Sequence, residues 1–263
     1  MPFFWKESVL TMTVKELYNE LSALYPAALS AEWDNDGLMC CPDGEKEVLR
    51  VLCALDASDP VIDHAIEKGF DLILTHHPLL FHKIGAFTEA LPEARKLMKL
   101  SAAGISVLSF HTRADVASGG VNDLLAGALG LSDIELLSGG IGRLGTLKEE
   151  ASLSAFAKRV KDVLSSPAVL IGDAGRPVFR CALCGGSGKD EIAAARAAGA
   201  DTFLSGRLSY ESVNEAGALG INLLEAGHFY TEDLLPRYWA KELPRRFSGL
   251  YAEHISSCHI EIV

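Results

Sequence analysis

The feature that most constrains this chain is a rhythm that runs through it twice: short apolar runs alternate with amphipathic stretches. In the first half, Val48 to Leu55, Asp71 to Thr75 and Ile105 to Phe110 read as strands. Between them lie a helix opened by Asp59-Pro60 and closed at Gly69, and another from about Pro92 to Ala103, stopped by Gly104. Proline suits the first helical turn and glycine the position just past the last. Gly120 to Leu129 reads as a third helix, closed by Gly130. The second half repeats the pattern. Phe179 to Cys184 is a strand, Gly185-Gly186-Ser187-Gly188 a turn, and Asp190 to Ala198 an alanine-rich helix ending at Gly199. Asp201 to Leu204 and Ile221 to Glu225 are strands with a helix between them, and a further helix is predicted near Ser154 to Leu164. Parallel strands need crossover connections, and strands covered by helices on both faces read as continuous apolar runs rather than alternating ones. The fold class is therefore α/β, with two similar, closely joined α/β lobes and mostly parallel sheets.

The amphipathic helix that places Leu17, Leu21 and Leu24 on one face starts after Thr13, so residues 1–12 read as an N-terminal extension. Residues 13–138 and 222–263 are assigned to one α/β domain and residues 139–221 to a second, with no Pro- or Ser-rich linker between them. Charge narrows the partners. The 24 basic and 35 acidic side chains leave a net charge of −11, so there is no basic surplus to neutralise nucleic-acid phosphates or to hold an anionic membrane surface. Anionic small molecules remain open, because a bound metal ion reverses the local potential. No apolar run approaches the ~18 residues of a membrane span, and Phe3-Phe4-Trp5 is not followed by a leader-type cleavage site. A cytoplasmic location is expected. The six cysteines make no disulfide framework. Cys181-Ala-Leu-Cys184 has the spacing of a zinc knuckle or redox pair, but on a strand its two sulfurs point to opposite faces, so reduced, non-ligating thiols are expected.

Ligands of an open parallel sheet gather beyond the carboxyl ends of the strands. His76 and His77 follow one such strand, His111 and Asp115 the next, and His228 and Glu232 a late one. A single histidine at a strand end is ordinarily a hydrogen-bonded rim residue; four of them with two carboxylates on three strand exits point to a metal site. Pro78 holds His77 in extended backbone, where consecutive side chains diverge. Two ions ~3.5–4 Å apart, each taking one imidazole, fit that geometry better than one, and such pairs recur in hydrolases. Mixed His–carboxylate donors suit Zn, Fe or Mn. Other residues carry less. The glycine turn after Cys184 could cradle an anion but is not a Walker loop, because Asp190 stands where a Ser or Thr is needed. Asp56 reads as a support for the site or as a helix cap, His64 as part of a solvated helix face, and His82 as a candidate cleft residue. His254 and His259 read as ordinary strand residues. No Gly-x-Ser-x-Gly elbow is present.

Seven motifs appear in order: Trp33-Asp-Asn-Asp-Gly-Leu38, Leu55-Asp56, Asp71-Leu-Ile-Leu-Thr-His-His-Pro78, His111-Thr-Arg-Ala-Asp115, Gly119-Gly-Val-Asn-Asp123, Cys184-Gly-Gly-Ser-Gly188 and Glu225-Ala-Gly-His-Phe-Tyr-Thr-Glu232. Over about residues 13 to 263 the chain resembles the NGG-one-interacting-factor-three-like, dinuclear-metal-centre hexameric family, often labelled GTP cyclohydrolase 1 type 2. The resemblance implies two similar α/β lobes, a toroidal homohexamer and two divalent metal ions per chain. Carried over, His76 and His77 ligate separate metals, Asp115 one, His228 the other, and Glu232 bridges them; His111 lies at the site as a catalytic group or a further ligand. Arg113-Ala114 and Asp36 depart from the family pattern at positions that are not proposed ligands. Some relatives carry an inserted domain, for which residues 165 to 178 leave no room. The expectation is a metal-dependent hydrolase acting on a small molecule of nucleotide type, GTP by resemblance. Its rival is a non-catalytic metal-binding protein, a metallochaperone or hexameric scaffold. Glu232 separates the two: it reads either as an acid in the first turn of a helix begun by Thr231, or as the bridging carboxylate.

Overall fold

The computed structural model describes residues 12–137, 140–167 and 169–258. Residues 1–11 of the expected N-terminal extension and His259 lie outside them, while Met12 begins β1. In chain order the elements are β1 (Met12–Thr13), α1 (Val14–Leu24), β2 (Gly37–Cys40), β3 (Glu47–Val48), β4 (Arg50–Ala54), α2 (Asp59–Lys68), β5 (Leu72–Thr75), α3 (Pro92–Ala103) and β6 (Ser106–Ser109). There follow α4 (Thr112–Val116), α5 (Val121–Ala128), β7 (Ser132–Leu136), β8 (Arg143–Ala151), α6 (Leu153–Leu164), β9 (Leu170–Gly172), β10 (Val178–Ser187) and α7 (Ile192–Ala197). The chain closes with β11 (Thr202–Arg207), α8 (Tyr210–Leu219), β12 (Asn222–Glu225), α9 (His228–Glu232), α10 (Leu234–Arg246) and β13 (Tyr251–His254). Two compact units result: residues up to His111 with Pro236–Ser257, and Thr112–Leu235 with the chain from Cys258.

The first unit holds a five-stranded sheet in the order β13-β4-β5-β6-β2. All its pairings are parallel except that of β2 with β6. Every residue of β5 and β6 is buried, and four of five in β4, which is why these strands read as unbroken apolar runs. Leu52, Ile73 and Val107 pack with Val61 and Ile62 of α2 and Leu100 of α3 in one core. Each helix carries its own end signals. Thr13 and Glu16 form a reciprocal capping box on α1, with the Glu16 N–H donating to Thr13 Oγ1 at 3.2 Å and the Thr13 N–H to Glu16 Oε2 at 2.8 Å. Gly69 ends α2 in the left-handed region at φ 67°.

The second unit holds a six-stranded sheet, β7-β8-β10-β11-β12-β9. Its centre, β10-β11-β12, is parallel, while β7, β8 and β9 are antiparallel, so this sheet is mixed rather than mostly parallel. The two parallel cores repeat a local device. Asp71 Oδ2 accepts the N–H groups of Leu49 and Arg50, both at 3.0 Å, where β4 begins. Asp201 Oδ2 accepts those of Phe179 and Arg180, at 2.9 and 2.7 Å, early in β10. Residues 112–137, which the sequence pattern groups with the first lobe, belong to the second unit. Leu125 of α5 and Leu129 at its C-cap share a core with Leu204 and Leu224 of the unit's parallel strands. Cys181 lies in that core and Cys184 in the one on the opposite face with Phe203, as alternation along a strand requires. Among the described residues no helix is long and apolar enough to cross a membrane.

Candidate metal centre

In the first unit the parallel ladder runs one step past β5 before it ends. The His77 N–H donates to Leu55 O and the Phe110 N–H to Thr75 O, both at 3.0 Å. Backbone held this firmly aims the two imidazoles that follow. His76 is fully buried, and its Nδ1 lies 2.9 Å from the carbonyl oxygen of Phe110. His77 Nδ1 lies 2.7 Å from Asp56 Oδ1, and the other Asp56 oxygen accepts Ser257 Oγ at 3.1 Å. His111 Nδ1 lies 2.9 Å from Oδ1 of Asp34, whose side chain is completely buried. The His111 backbone N–H donates to Asp36 Oδ2 at 3.2 Å, and Ser30 Oγ donates to Asp36 Oδ1 at 3.1 Å.

These contacts decide the chemistry of the triad. A carbonyl or carboxylate oxygen can only accept, so each Nδ1 carries the hydrogen, and in the neutral ring the lone pair sits on Nε2. Three rings anchored in the same sense present three soft donors with fixed orientation, the usual preparation of a histidine for a metal. Their centroids are 5.1, 5.3 and 5.6 Å apart, and one nitrogen from each lies within 4.8 Å of the other two.

The second unit holds buried carboxylates of its own. Asp115 in α4 and Glu232 in α9 are buried, and an oxygen of each lies within 4.8 Å of the other. His228 Nε2 lies 2.9 Å from Glu232 Oε2. Burial pushes the Cys184 thiol well above its ordinary range, and the charges of Asp115, Glu191 and Glu232 push it further. The thiol therefore stays protonated, as expected of a buried cysteine beside carboxylates. Glycines let the helix approach. β10 bulges between Cys184 and Ser187, and Gly186 there has φ +62°. A Cβ on Gly186 would stand 2.1 Å from Glu232 Oε1. Asn122 ties the same region together: its Oδ1 accepts the Gly185 N–H at 2.8 Å and its Nδ2 donates to the Asp115 carbonyl at 3.2 Å.

The sequence profile of Duf34/NIF3 (NGG1p interacting factor 3) matches residues 12–261. The chain belongs to the NIF3 family. It is 34% identical over 232 residues to the GTP cyclohydrolase 1 type 2 homolog of Clostridium acetobutylicum, covering 85% of this chain and 86% of that one. Among solved structures it is similar to a hypothetical protein of Staphylococcus aureus at TM-score 0.89 and 25% identity, covering 96% and 100% of the two chains. It is also similar to reduced HcgD from Methanocaldococcus jannaschii at TM-score 0.81 and 30% identity, covering 94% and 98%.

In this NIF3 protein the expected donors fall into two sets, His76, His77 and His111 in one unit and Asp115, His228 and Glu232 in the other. Several expectations change. Glu232 does not open a helix: it is the last residue of α9, and α10 starts after Asp233, so the first-turn reading does not apply. The glycine turn is not an anion cradle. β10 runs on to Ser187, and the N–H groups of Gly185, Gly186 and Gly188 are engaged by Asn122, Thr231 and Ser205. Asp56 orients His77 and does not cap α2, whose N-cap is Ser58. His64 lies 3.5 Å from Glu253 and packs on Phe70, and His254 pairs with Cys53 in β13. His82 is exposed and meets Phe81 edge-on. Asp34, Asp36 and Asn122 are the supports that residue-by-residue reasoning passed over. Their signal was composition: acids packed into a short segment with one Trp, and an Asn inside a helical pattern, both unusual where nothing needs holding.

Proposed function

We propose that this NIF3 protein is a divalent-metal-dependent hydrolase with a dinuclear centre, acting on a small molecule of nucleotide type. Its ligands are His76, His77, Asp115, His228 and Glu232, and His111 is a further ligand or catalytic group. The observation that carries this reading is the triad of imidazoles, each with Nδ1 anchored by an oxygen so that Nε2 is the donor atom. The buried carboxylates of Asp115 and Glu232 support it by supplying the charge that two Zn, Fe or Mn ions require.

Bound ions would supply Lewis acidity toward water and substrate. The protein's own part is orientation. Phe110 O, Asp56 and Asp34 hold the rings. The glycine bulge of β10 gives Glu232 its place beside His228. The name borne by the Clostridium acetobutylicum relative makes GTP the first substrate to test. The working form proposed with this reading is a cytoplasmic homohexamer, which would give a light-scattering mass near six times 28.2 kDa.

The decisive experiment combines elemental analysis with turnover. Protein purified without chelator should hold up to two divalent ions per chain, and His76→Ala with His228→Ala should remove them. Hydrolysis of GTP that persists through purification and is lost in Asp115→Ala supports the enzyme. Two ions retained with no turnover, and metal passed to an acceptor, make the protein a metal carrier instead. Metal content unchanged in the double variant overturns the site.

A further inference from the structure

Two large aromatic side chains of the first unit stand in solvent beside the imidazole triad. Trp33 is 63% exposed and Phe81 46%, both well above what most of the unit's large apolar residues show. Their ring centroids are 6.0 Å apart, and each lies about one ring from His111, at 6.0 Å for Trp33 and 6.1 Å for Phe81. Both rings meet His111 edge-on, with interplanar angles of 74°, and meet each other at 49°. Two adjoining exposed rings, rather than a single one, make an apolar patch of the kind that marks a binding surface.

The position of Trp33 is also tightly held. The next residue, Asp34, is the buried carboxylate that anchors His111 Nδ1, and Asn35 Nδ2 donates to the carbonyl oxygen of Leu80, next to Phe81. Asp36 accepts the His111 backbone N–H. One four-residue segment thus orients a candidate metal ligand and fixes an aromatic face beside it. Chance exposure of a loop tryptophan does not require three successive polar side chains to hold the same place.

We propose that Trp33 and Phe81 form the platform on which the planar heteroaromatic ring of the substrate stacks, a purine-type base being the class that fits. The inference rests on the metal-hydrolase reading and adds to it a recognition element. The net charge of −11 argues against a polynucleotide as the source of that base. A free nucleotide offers a wide π-face for the indole, and stacking of a base on an aromatic side chain tolerates variation in its edge groups.

The test uses the metal-loaded, full-length protein with guanosine 5′-monophosphate as the aromatic probe and ribose 5-phosphate as the probe without a base. Binding of the nucleotide should quench tryptophan emission, and ribose 5-phosphate should not. Trp33→Ala should weaken nucleotide binding by roughly five- to a hundredfold, Phe81→Ala should weaken it less, and Trp33→Phe should restore part of the loss. Metal content and melting temperature should match the parent in all three, because neither side chain is a ligand or part of the core. Unchanged nucleotide affinity in Trp33→Ala overturns the proposal. So does equal binding of the two probes, or a Trp33→Ala protein whose only change is a smaller assembly, which would make this face a contact between copies. Loss of metal from the parent on dialysis, by contrast, is a failure of the metal reading and is measured separately in the same samples.

Discussion

At the scale of single residues, the first unit turns on what the three Nδ1 atoms touch. A metal does not distinguish Nδ1 from Nε2 by itself; the partner of the other nitrogen does. Phe110 O can only accept, so no rotation or protonation of a neighbour changes the presentation of His76. His77 is different, because its anchor is a side chain. The carboxylate of Asp56 is 45% exposed and is shared with Ser257. Asp56→Ala is thus a gentle probe of the site: removing a half-exposed carboxylate costs little stability, while His77 loses its orienting partner. Metal affinity should fall ~10- to 100-fold, seen by competition with a chromogenic chelator, with thermal unfolding of the chelated protein unchanged. Equal affinity in the variant would show that His77 is not held for a metal. Asp34 is the harsher counterpart. Its side chain is fully buried against His111, so its removal would leave the imidazole without the acceptor that fixes its Nδ1.

At the scale of elements, whether a strand could be read from the sequence depended on how deeply it is buried. β4, β5, β6, β10, β11 and β12 sit inside their sheets and announce themselves as apolar runs. β7 is exposed along its whole length, β9 is three residues long at a sheet edge, and β2 alternates imperfectly. Edge strands take their definition from a partner's hydrogen bonds rather than from their own side chains, and no local pattern reveals that. The candidate site follows the same division. The histidines and carboxylates stood out because strand ends are where the fold places ligands, whereas Asn122 and the β10 bulge matter only through contacts distant in sequence. Glycine provides the clearest case, since Gly186 and Gly206 look alike in the chain but meet different neighbours. A Cβ at Gly186 meets the far end of Glu232, a side chain that can swing away. At Gly206 it meets Thr231 Oγ1 at 2.4 Å, Gly186 O at 2.7 Å and His228 Cα at 2.8 Å, two of them backbone atoms. Gly186→Ala should therefore lower stability by only ~1–2 kcal/mol, mainly from its left-handed backbone, yet displace Glu232 and weaken metal binding. Gly206→Ala should cost more, ~1–3 kcal/mol or above, because α9 itself must move. Urea unfolding and metal titration of the two variants check the contrast; the reverse order of stabilities would contradict the packing of α9 on β10 and β11.

At the scale of the whole molecule, the thiols report on each unit separately. Cys53 is buried in the first unit, and Cys181 and Cys184 in the second, while Cys41 is exposed. Cys40 is buried in the first unit as well, and burial pushes all four buried thiols above their ordinary pKa range, so neither access nor ionisation favours reaction in the folded state. A thiol reagent at neutral pH should label Cys41 at once, and the buried four only when the unit around them opens. A metal bound only by the folded unit would disfavour that opening by an amount that grows with the logarithm of its concentration, about 2.7 kcal/mol at a hundredfold excess over Kd. The distribution of that protection tests the proposed centre. If the imidazole triad of the first unit holds a metal, chelation should speed the labelling of Cys53, because that unit loses the stabilisation its ion supplies. If His228, Asp115 and Glu232 hold a metal, chelation should accelerate Cys181 and Cys184. Peptide-resolved mass spectrometry over a labelling time course reads all three rates from one sample, and a donor set whose unit shows no acceleration is not a metal site.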